Sequence, residues 1–408
     1  MGNYFKISHI SSGFITVLVG YSSSVAIIFQ AANAAGATSA ELVSWMWALG
    51  IGMGASSIAL SLRYRSPVLT AWSTPGAALL VAGLSGLSMN QAIGVFLFSS
   101  LLITLCGVTG WFQKVMHYIP RHIAAAMLAG ILVRFGMDLF TSMQAQLLLV
   151  AIMFLVFWLG RLALPRYSVP LALLAGVVYA GAQGLLHLEL LDWTPAKPML
   201  IMPEFSLSAL IGVGIPLFIV TMTSQNIPGL AVLRANGYDT PASPLISWTG
   251  ITGLLLAPFG GYSFNLAAIT AAICMSRDAD PDPDKRYLAS VWAGAFYLIT
   301  GLFGATVVGL FAAFPLELVA AIAGLALLST IGNSLAGALA AENGREAALV
   351  TFLCTASGTS FLGIGSAFWG LVLGLAVHCV TTRRGSGAPG TSTPATIAPQ
   401  PVADANRQ

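Results

Sequence analysis

A short polar break interrupts the strongly apolar stretch LTAWSTPGAALL, and its residue types are those that begin a helix. Ser73 or Thr74 is a suitable N-cap, and Pro75 is favoured at the first helical position. A helix that begins here has unpaired N–H groups and a positive dipole end at its first turn. Such an end binds anions, so the break predicts a half-helix whose N-terminus binds a negatively charged group.

A second break of the same kind occurs in APFGGYSFNLAAITAAI, in the other half of the chain. Both stretches follow a proline (Pro67 and Pro258), pass through β-favouring or Gly-rich residues and then become helical in character. Ser263 or Asn265 can cap the apolar run that starts at Leu266. Two half-helices that converge from opposite sides would form one anion site. The alternative is two short buried helices without a ligand.

Polar side chains also interrupt two other apolar segments. Gln225 and Asn226 stand before Pro228 in TMTSQNIPG, and Ser22 and Ser23 lie in GYSSS. Amides in hydrocarbon need hydrogen-bond partners, and a proline leaves a helix carbonyl unpaired. These residues are candidates to line a polar cavity and bind a substrate. The alternative is that they form hydrogen bonds between helices.

Arg134 and Asp138 lie four residues apart on one face of a predicted helix, where opposite charges partly neutralise each other. The pair is a candidate gate or proton relay, and the alternative is a structural ion pair near the outer end of the helix. No acidic residue lies in the middle of the segments that carry the polar breaks. The sequence therefore identifies no central proton carrier.

The composition places these breaks in a membrane. Of the 408 residues, 57% are hydrophobic and only 8% are charged, whereas soluble domains carry about 25% charged residues. The net charge of +3, without a basic cluster, argues against nucleic-acid binding. The four cysteines lie in apolar stretches without metal-ligand spacing, so we expect no disulfide, metal or other cofactor.

Reading from turn to turn gives fourteen apolar segments as candidate membrane spans. They lie near residues 10–33, 40–62, 67–85, 90–113, 121–140, 144–161, 168–187, 206–233, 243–257, 260–276, 286–313, 316–340, 346–358 and 361–381. The first is longer than a signal-peptide core, so we expect a retained helix although AANAAGA resembles a cleavage site. The predicted fold class is an all-α multi-spanning membrane protein.

The distribution of basic residues supports this count and gives an orientation. With the N-terminus in the cytoplasm, fifteen of the 17 Lys and Arg residues fall in cytoplasmic loops or ends. Only Lys197 falls on the other side, and Arg134 lies within the fifth segment. This bias follows the positive-inside rule and predicts that both termini are cytoplasmic.

The two halves of the chain resemble each other. RANG and ISW (near 234–248) match NAAG and VSW (near 33–45), and FPLELVAAIAGLAL matches IPRHIAAAMLAGIL in the same order. Seven segments per repeat invert the second copy, an arrangement typical of secondary transporters with a site between the repeats. The predicted repeats are residues 1–190 and 200–382, and the Gly-, Pro- and Ser-rich tail 385–408 is expected to be disordered.

The stretch DADPDPD (residues 278–284) is similar to the magnesium-binding motifs of membrane prenyltransferases. It stands alone, contains prolines and falls in a predicted cytoplasmic loop, so a solvated turn is favoured. An intramembrane enzyme is the remote alternative function, because it would need a second Asp-rich loop that the sequence lacks. We therefore predict that the protein is not an enzyme.

Four strings together resemble the benzoate:proton symporter (BenE) family of bacterial inner membranes. They are SPVLTAWSTPGAALL, TSQNIPG, AITAAIC and GIGSAFWGL, and the resemblance runs from about residue 13 to 380. The family is thought to share the seven-plus-seven inverted-repeat fold of nucleobase–ascorbate and sulfate carriers. That fold implies short strands before the half-helices of the third and tenth segments, a site between a core and a gate domain, and homodimers.

The resemblance implies uptake of benzoate or a related aromatic carboxylate with a proton across the inner membrane. Nucleobase carriers of this fold use glutamates in segments eight and ten, which lack carboxylates here; the absence fits an anionic substrate. A carrier or channel-like protein for another small anion is the alternative. The candidate substrate-binding residues, whose aromatic members are expected to contact the ring, are Tyr21, Ser22, Ser23, Trp72, Ser73, Thr74, Gly76, Gln225, Asn226, Tyr262, Ser263, Phe264 and Asn265.

Overall fold

The computed structural model describes residues 6–111, 120–187, 189 and 193–385, and this part of the chain is mostly helical. The elements are α1 (Ile7–Ala34), α2 (Ser39–Tyr64), β1 (Thr70–Trp72), α3 (Thr74–Gly83), α4 (Met89–Val108), α5 (Arg121–Ala145), α6 (Leu147–Ala163), α7 (Ser168–Ala182), α8 (Leu207–Ala235), α9 (Ala242–Leu256), β2 (Phe264–Leu266), α10 (Ile269–Cys274), α11 (Tyr287–Leu302), α12 (Gly304–Ala312), α13 (Leu316–Leu339), α14 (Arg345–Ala356) and α15 (Ser366–Gly385). Each predicted apolar segment coincides with at least one of these elements. Residues 386–408 of the predicted disordered tail lie outside the described residues.

Length and hydropathy identify the helices that can cross a membrane. Among the described residues, seven helices are long and apolar enough, and an eighth span results if α11 and α12, bent by 70°, count as one. The helices α3, α6, α7 and α15 are apolar but shorter. The protein is therefore a multi-pass helical membrane protein, and fourteen spans would require the shorter segments to cross as well.

The helices form two bundles. The first contains α1, α2, α4, α9 and α11, and its most extensive contacts join α2 to α11 and α4 to α9. The second contains α5, α6, α7, α13, α14 and α15, with α5 packed along α13. α1 also contacts α7 and α13, and α3 contacts α5. The half-helices therefore lie where the two bundles meet.

Two short strands precede the half-helices, as expected, and they pair with each other. β1 and β2 are antiparallel, with Thr70 opposite Leu266, Ala71 opposite Asn265 and Trp72 opposite Phe264. Because the strands come from the two halves of the chain, their pairing brings the ends of both half-helices to one place.

Glycines allow α2 and α11 to approach closely. A Cβ atom on Gly50 would lie 2.6 Å from the backbone nitrogen of Gly301, and one on Gly54 would lie 2.7 Å from the carbonyl oxygen of Gly294. These distances are shorter than real Cβ contacts. Small residues are therefore required at this contact, as at many helix interfaces in membranes.

The Asp-rich stretch is not a uniformly solvated turn, which corrects the sequence prediction for one residue. Asp280 is only 1% exposed. Its carboxylate accepts hydrogen bonds from Lys6 Nζ at 2.9 Å and from the Asp282 N–H at 2.9 Å, and contacts His9 Nε2 at 2.8 Å. Arg286 Nε donates to the Asp280 carbonyl at 2.8 Å. The cluster ties the start of α1 to the loop before α11.

The same contacts set the charge of Asp280. Burial alone would raise the pKa of this carboxyl. The hydrogen bonds from Lys6, the Asp282 N–H and His9, together with the positive charge of Lys6, outweigh burial and lower the pKa to about 2. The carboxylate is therefore ionised in the folded protein at neutral pH.

The glycine contact predicts a stability difference between two Gly→Ala variants. Gly50→Ala should destabilise the fold by about 1–3 kcal/mol, because the added methyl group has no space against Gly301. Gly332→Ala is the matched control, because a Cβ there meets nothing within 4 Å. Thermal unfolding of the detergent-purified variants measures both, and an unchanged midpoint for Gly50→Ala would contradict this packing.

Asp280 predicts a pH-dependent contribution to stability. Because its folded pKa lies below its ordinary value, the contribution is fully present at pH 7 and fades as pH falls from about 4 towards 2. Asp280→Asn should therefore lower the unfolding midpoint at pH 7, and the deficit should shrink at pH 4 and below. Asp239→Asn, at an exposed position, should not change the midpoint at either pH. A pH-independent deficit for Asp280→Asn would show that ionisation is not the cause.

Candidate substrate-binding site

A large open cavity lies between the two bundles. Its volume is about 1520 Å³, and it extends from the half-helices to the exposed ends of α5 and α8 at Arg121 and Arg234. The first bundle and α8 supply one wall, and α5, α7 and α13 supply the other. Its lining includes Ser23, Ser24, Ala71, Trp72, Thr74, Pro75, Gln225, Ala268, Ile269, Thr270, Ser329, Thr330 and Asn333.

The first half-helix begins as the sequence predicted, and Ser73 is the N-cap. Its hydroxyl accepts a hydrogen bond from the Gly76 N–H at 3.0 Å, and its carbonyl accepts one from the Ala77 N–H at 2.8 Å. Ser73 itself is fully buried. Thr74 and Pro75 line the cavity, and proline has no N–H. The end of α3 therefore offers mainly the Thr74 backbone and hydroxyl groups to a ligand.

Gly76 has a packing role in this turn. A Cβ atom at this position would lie 2.8 Å from Ser73 Oγ and 2.9 Å from Leu217 Cδ1. Glycine is therefore needed for the N-cap to close against α8. Its predicted contact with a substrate stays a prediction, since Gly76 is buried beneath Thr74 and Pro75.

The second half-helix begins later than predicted. The expectation that Ser263 or Asn265 caps it is wrong, because residues 264–266 form β2 and α10 starts at Ile269 without a side-chain cap. In the described structure, the backbone N–H groups of Ile269, Thr270 and Ala271 have no hydrogen-bond partner. Ala268, Ile269 and Thr270 line the cavity. The uncapped end of α10 thus leaves N–H donors for a ligand.

Asn265 lies in β2 opposite Ala71, which lines the cavity. Asn265 itself is fully buried and is not among the residues that line the cavity. Its Nδ2 donates to the Ser263 carbonyl at 3.0 Å, which fixes the amide, and its buried Oδ1 has no partner among the residues described. Ser263 is also buried, with its hydroxyl unpartnered in the same part of the chain. Asn265 therefore retains a free acceptor.

The two amides of α8 have different environments. Both belong to a π-helical stretch, Met222–Asn226, that precedes Pro228. Asn226 is fully buried and accepts a hydrogen bond from the Leu266 N–H at 3.0 Å, so it supports β2. Gln225 lines the cavity, and within the described residues its amide makes no hydrogen bond. Gln225 is therefore free to bind a ligand, whereas Asn226 has a structural partner.

The candidate residues of α1 also divide by position. Ser23 lines the cavity, while Ser22 is buried and donates to the Val19 carbonyl at 3.3 Å. Trp72 lines the cavity and is fixed by a hydrogen bond from its Nε1 to Ser24 Oγ at 2.8 Å. The Tyr21 ring packs edge-on against Trp72 with centroids 4.8 Å apart. Tyr21 thus contacts the cavity wall from behind.

Tyr262 and Phe264 are fully buried behind the half-helices. The Tyr262 hydroxyl donates to the Ser73 carbonyl at 3.3 Å, and its ring packs against Trp45 and Phe96. The Phe264 ring fills the space beside Gly52 of α2. In this conformation the aromatic residue that reaches the cavity from the predicted set is Trp72.

Arg134 and Asp138 lie on α5 outside the cavity lining. Arg134 is exposed and Asp138 is half-buried, and no ion pair joins them in the described structure. The Asp138 carbonyl accepts hydrogen bonds from Thr141 and Ser142. Their role as a gate or proton relay stays a prediction.

The sequence reasoning missed a polar strip on α13. Ser329, Thr330, Asn333 and Ser334 line the cavity wall opposite the half-helices. The signal was present in LALLSTIGNSL, where polar residues recur at helical spacing within an apolar helix. Among the lining residues described there is no Asp, Glu or His, and no group of three metal-ligating side chains occurs in the described structure.

The fold is similar to the folds of solved membrane transport proteins. The structure of SLC26A9 is similar with a TM-score of 0.60 and 12% identity, covering 93% of this chain and 66% of that chain. The transmembrane domain of the cyanobacterial bicarbonate transporter BicA is similar with a TM-score of 0.58 and 13% identity, covering 92% of this chain and 97% of that chain. The chain thus spans about two thirds of SLC26A9.

The sequence then defines the family within this class. Residues 3–380 match the family described as benzoate membrane transport protein (BenE), and the chain belongs to that family. The inner membrane protein YdcO of Escherichia coli (strain K12) is 54% identical over 363 residues, covering 89% of this chain and 93% of YdcO. The benzoate membrane transport protein of Acinetobacter baylyi (strain ATCC 33305 / BD413 / ADP1) is 41% identical over 372 residues, covering 91% of this chain and 94% of that protein.

The different environments of Gln225 and Asn226 predict that substitution by leucine lowers stability at Asn226 but not at Gln225. Asn226→Leu leaves the buried Leu266 N–H without its acceptor, which should cost about 1–3 kcal/mol of stability. Gln225→Leu removes a half-buried amide without a protein partner and should change stability little. Unfolding midpoints of the two variants test the assignment, and equal losses would contradict it.

Proposed function

We propose that the protein imports benzoate or a related aromatic carboxylate with a proton across the bacterial inner membrane. The observation that carries the proposal is the uncapped N-terminus of α10 at the wall of the central cavity, next to the end of α3. Free N–H groups and positive dipole ends favour a negative group at this place. The benzoate transport protein at 41% identity supports the choice of substrate.

The carboxylate would accept hydrogen bonds from the Ile269 and Thr270 N–H groups and from the Thr74 hydroxyl. These three residues line the cavity. Trp72, already fixed by Ser24, offers its ring to the aromatic part of the substrate. The Gln225 amide lies on the same wall and would bind the carboxylate or its water.

The proton would cross the membrane either on the carboxyl group of the substrate or by a separate path through the protein. Asn265 Oδ1 is buried without a partner in the described structure. If the site rearranges so that the ligand reaches it, Oδ1 would accept a hydrogen bond from a protonated carboxyl group while backbone N–H groups donate to the other oxygen. A proton that enters with the anion makes the step electroneutral, which reduces the cost of carrying charge through the membrane. The pair Arg134 and Asp138 is the second candidate for the proton's path.

We infer further that the fold is an inverted repeat of seven plus seven spans, with the repeats at residues 1–190 and 200–382. Both termini would lie in the cytoplasm, and the protein would assemble as a homodimer. Several contacts support the repeat. Two residues after the last residue of α1 and of α8 stands a glycine with positive φ, Gly36 and Gly237 respectively. The helices α5 and α13 each begin after a proline, Pro120 and Pro315. The α2–α11 contact becomes the α4–α9 contact when each element is exchanged for its counterpart. Antiparallel pairing of β1 with β2 fits a two-fold axis in the membrane plane.

Transport of another small anion is the second candidate. Donors at half-helix ends recognise the negative group rather than the ring, and similarity to SLC26A9 and BicA extends over nearly the whole chain. The apolar part of the cavity lining and Trp72 favour an aromatic carboxylate over an inorganic anion.

The proposal predicts stabilisation by benzoate and loss of that effect in Thr74→Val. At one hundred times its Kd, benzoate should stabilise the protein by about 2.7 kcal/mol, and neutral benzamide should not. Thr74→Val removes one cavity hydrogen bond and should weaken benzoate binding about fivefold to tenfold. Thermal shift of the detergent-purified protein measures these effects.

Thr252→Val is the matched control, because Thr252 lies outside the cavity lining and should leave benzoate binding unchanged. Proteoliposomes test coupling: labelled benzoate should accumulate under an inward proton gradient, and a protonophore should abolish accumulation. Uptake of bicarbonate or sulfate without benzoate would contradict the proposal and support the second candidate.

A further inference from the structure

A side branch opens from the central cavity between α6, α7 and α13. Its volume is about 200 Å³. It is lined by Phe157, Arg161, Pro165, Ser168, Val169, Leu325, Ala326 and Ser329. Pro165, Ser168, Val169, Ala326 and Ser329 also line the central cavity, so the two cavities are adjacent.

One basic side chain is held at this branch. Arg161 Nη1 donates a hydrogen bond to Ser329 Oγ at 2.8 Å. The guanidinium carbon lies 5.9 Å from the Phe157 ring centroid and 5.6 Å from that of Trp158. These contacts orient the planar guanidinium group and leave its other N–H donors free.

The charge of Arg161 is not neutralised within the described structure. No ion pair joins it to a carboxylate there, whereas Lys6, Lys285 and Arg345 each have an acidic partner. The guanidinium fork matches the geometry of a carboxylate in a bidentate pair. An anion at this position would supply the missing counter-charge.

The walls around Arg161 define the rest of the ligand. Phe157, Val169 and Leu325 form the apolar part of the lining, with Phe157 and Leu325 almost fully buried, and Ser329 contacts the guanidinium through its hydroxyl group. A small carboxylate with an aromatic ring places its charge on Arg161 and its ring against the apolar side. A small inorganic anion would leave that apolar wall in contact with water.

We propose that the side branch is a second binding site for an aromatic carboxylate, with Arg161 as the group that binds its carboxylate. The inference rests on the proposed function, which supplies the substrate class and places this end of the cavity in the cytoplasm. Substrate released from the half-helices meets Ser329 and then Arg161 before it leaves the protein. The site therefore acts on the cytoplasmic side of transport alone.

Side-specific kinetics test this site. Benzoate is the probe, with right-side-out vesicles for uptake and inside-out vesicles for transport from the cytoplasmic face. Arg161→Gln should raise the cytoplasmic-side KM about tenfold, equivalent to ~1.4 kcal/mol, and leave the outer-side KM within twofold. Arg161→Lys retains the charge without the planar fork, so its cytoplasmic-side KM should lie between those of the parent and of Arg161→Gln. This second variant keeps the test valid if Arg161→Gln misfolds.

Arg63→Gln is the matched control. Arg63 is also exposed, lies 5.9 Å from the Tyr64 ring centroid and lines neither cavity, so both KM values should stay unchanged. Equal increases on both sides for Arg161→Gln, or no increase on either, would overturn the second site while the parent protein still transports benzoate. Absence of benzoate transport by the parent would instead refute the proposed function.

A lipid phosphate group could supply the same negative charge, and nanodiscs distinguish this source. The unfolding midpoint of the parent and of Arg161→Gln should respond equally when anionic phosphatidylglycerol replaces part of the phosphatidylcholine. If the variant alone loses stabilisation by phosphatidylglycerol and keeps its cytoplasmic-side KM, Arg161 binds a lipid headgroup and the proposal is wrong.

Discussion

The antiparallel pairing of β1 with β2 is the constraint on which the rest of the site depends. Extended backbone inside an apolar protein must satisfy every N–H and C=O group, and a two-stranded ribbon leaves two outer edges unpaired. Side chains from neighbouring helices satisfy them: Ser57 Oγ accepts from the Thr70 N–H at 2.9 Å, and Asn226 Oδ1 accepts from the Leu266 N–H at 3.0 Å. The ribbon can therefore exist between the bundles and fix both half-helices.

The ribbon positions two helix ends that are chemically unequal. At the end of α3, Ser73 caps the first turn and Pro75 has no N–H, so this end offers a ligand mainly the Thr74 groups. The end of α10 has no cap and keeps its N–H groups at the cavity wall. Asn265, opposite Ala71 in the ribbon, has a buried acceptor without a partner in the described structure. The free N–H donors at the cavity wall suit a carboxylate.

Much of this architecture could be predicted from the sequence, because membrane helices have strong compositional signals. The apolar segments, the Ser73 cap and the paired breaks follow from local residue types and matching halves, and the short strands follow from the family resemblance. The later start of α10 could not be predicted, since Asn265 is a good cap that pairing with β1 draws into extended structure, and Ser263 lies just before that strand with a φ of 40°. Nor could the buried Asp280 or the side branch at Arg161, which depend on contacts between residues distant in sequence.

In the proposed function, the ends of α3 and α10 bind the carboxylate of an aromatic acid. A crystal structure with 4-iodobenzoate tests this binding mode, because anomalous scattering locates the iodine and thereby the direction of the ring. We expect the carboxylate within hydrogen-bond distance of the Ile269 and Thr270 N–H groups, with the ring beside Trp72. A ligand bound elsewhere in the central cavity, with these N–H groups facing only water, would contradict it.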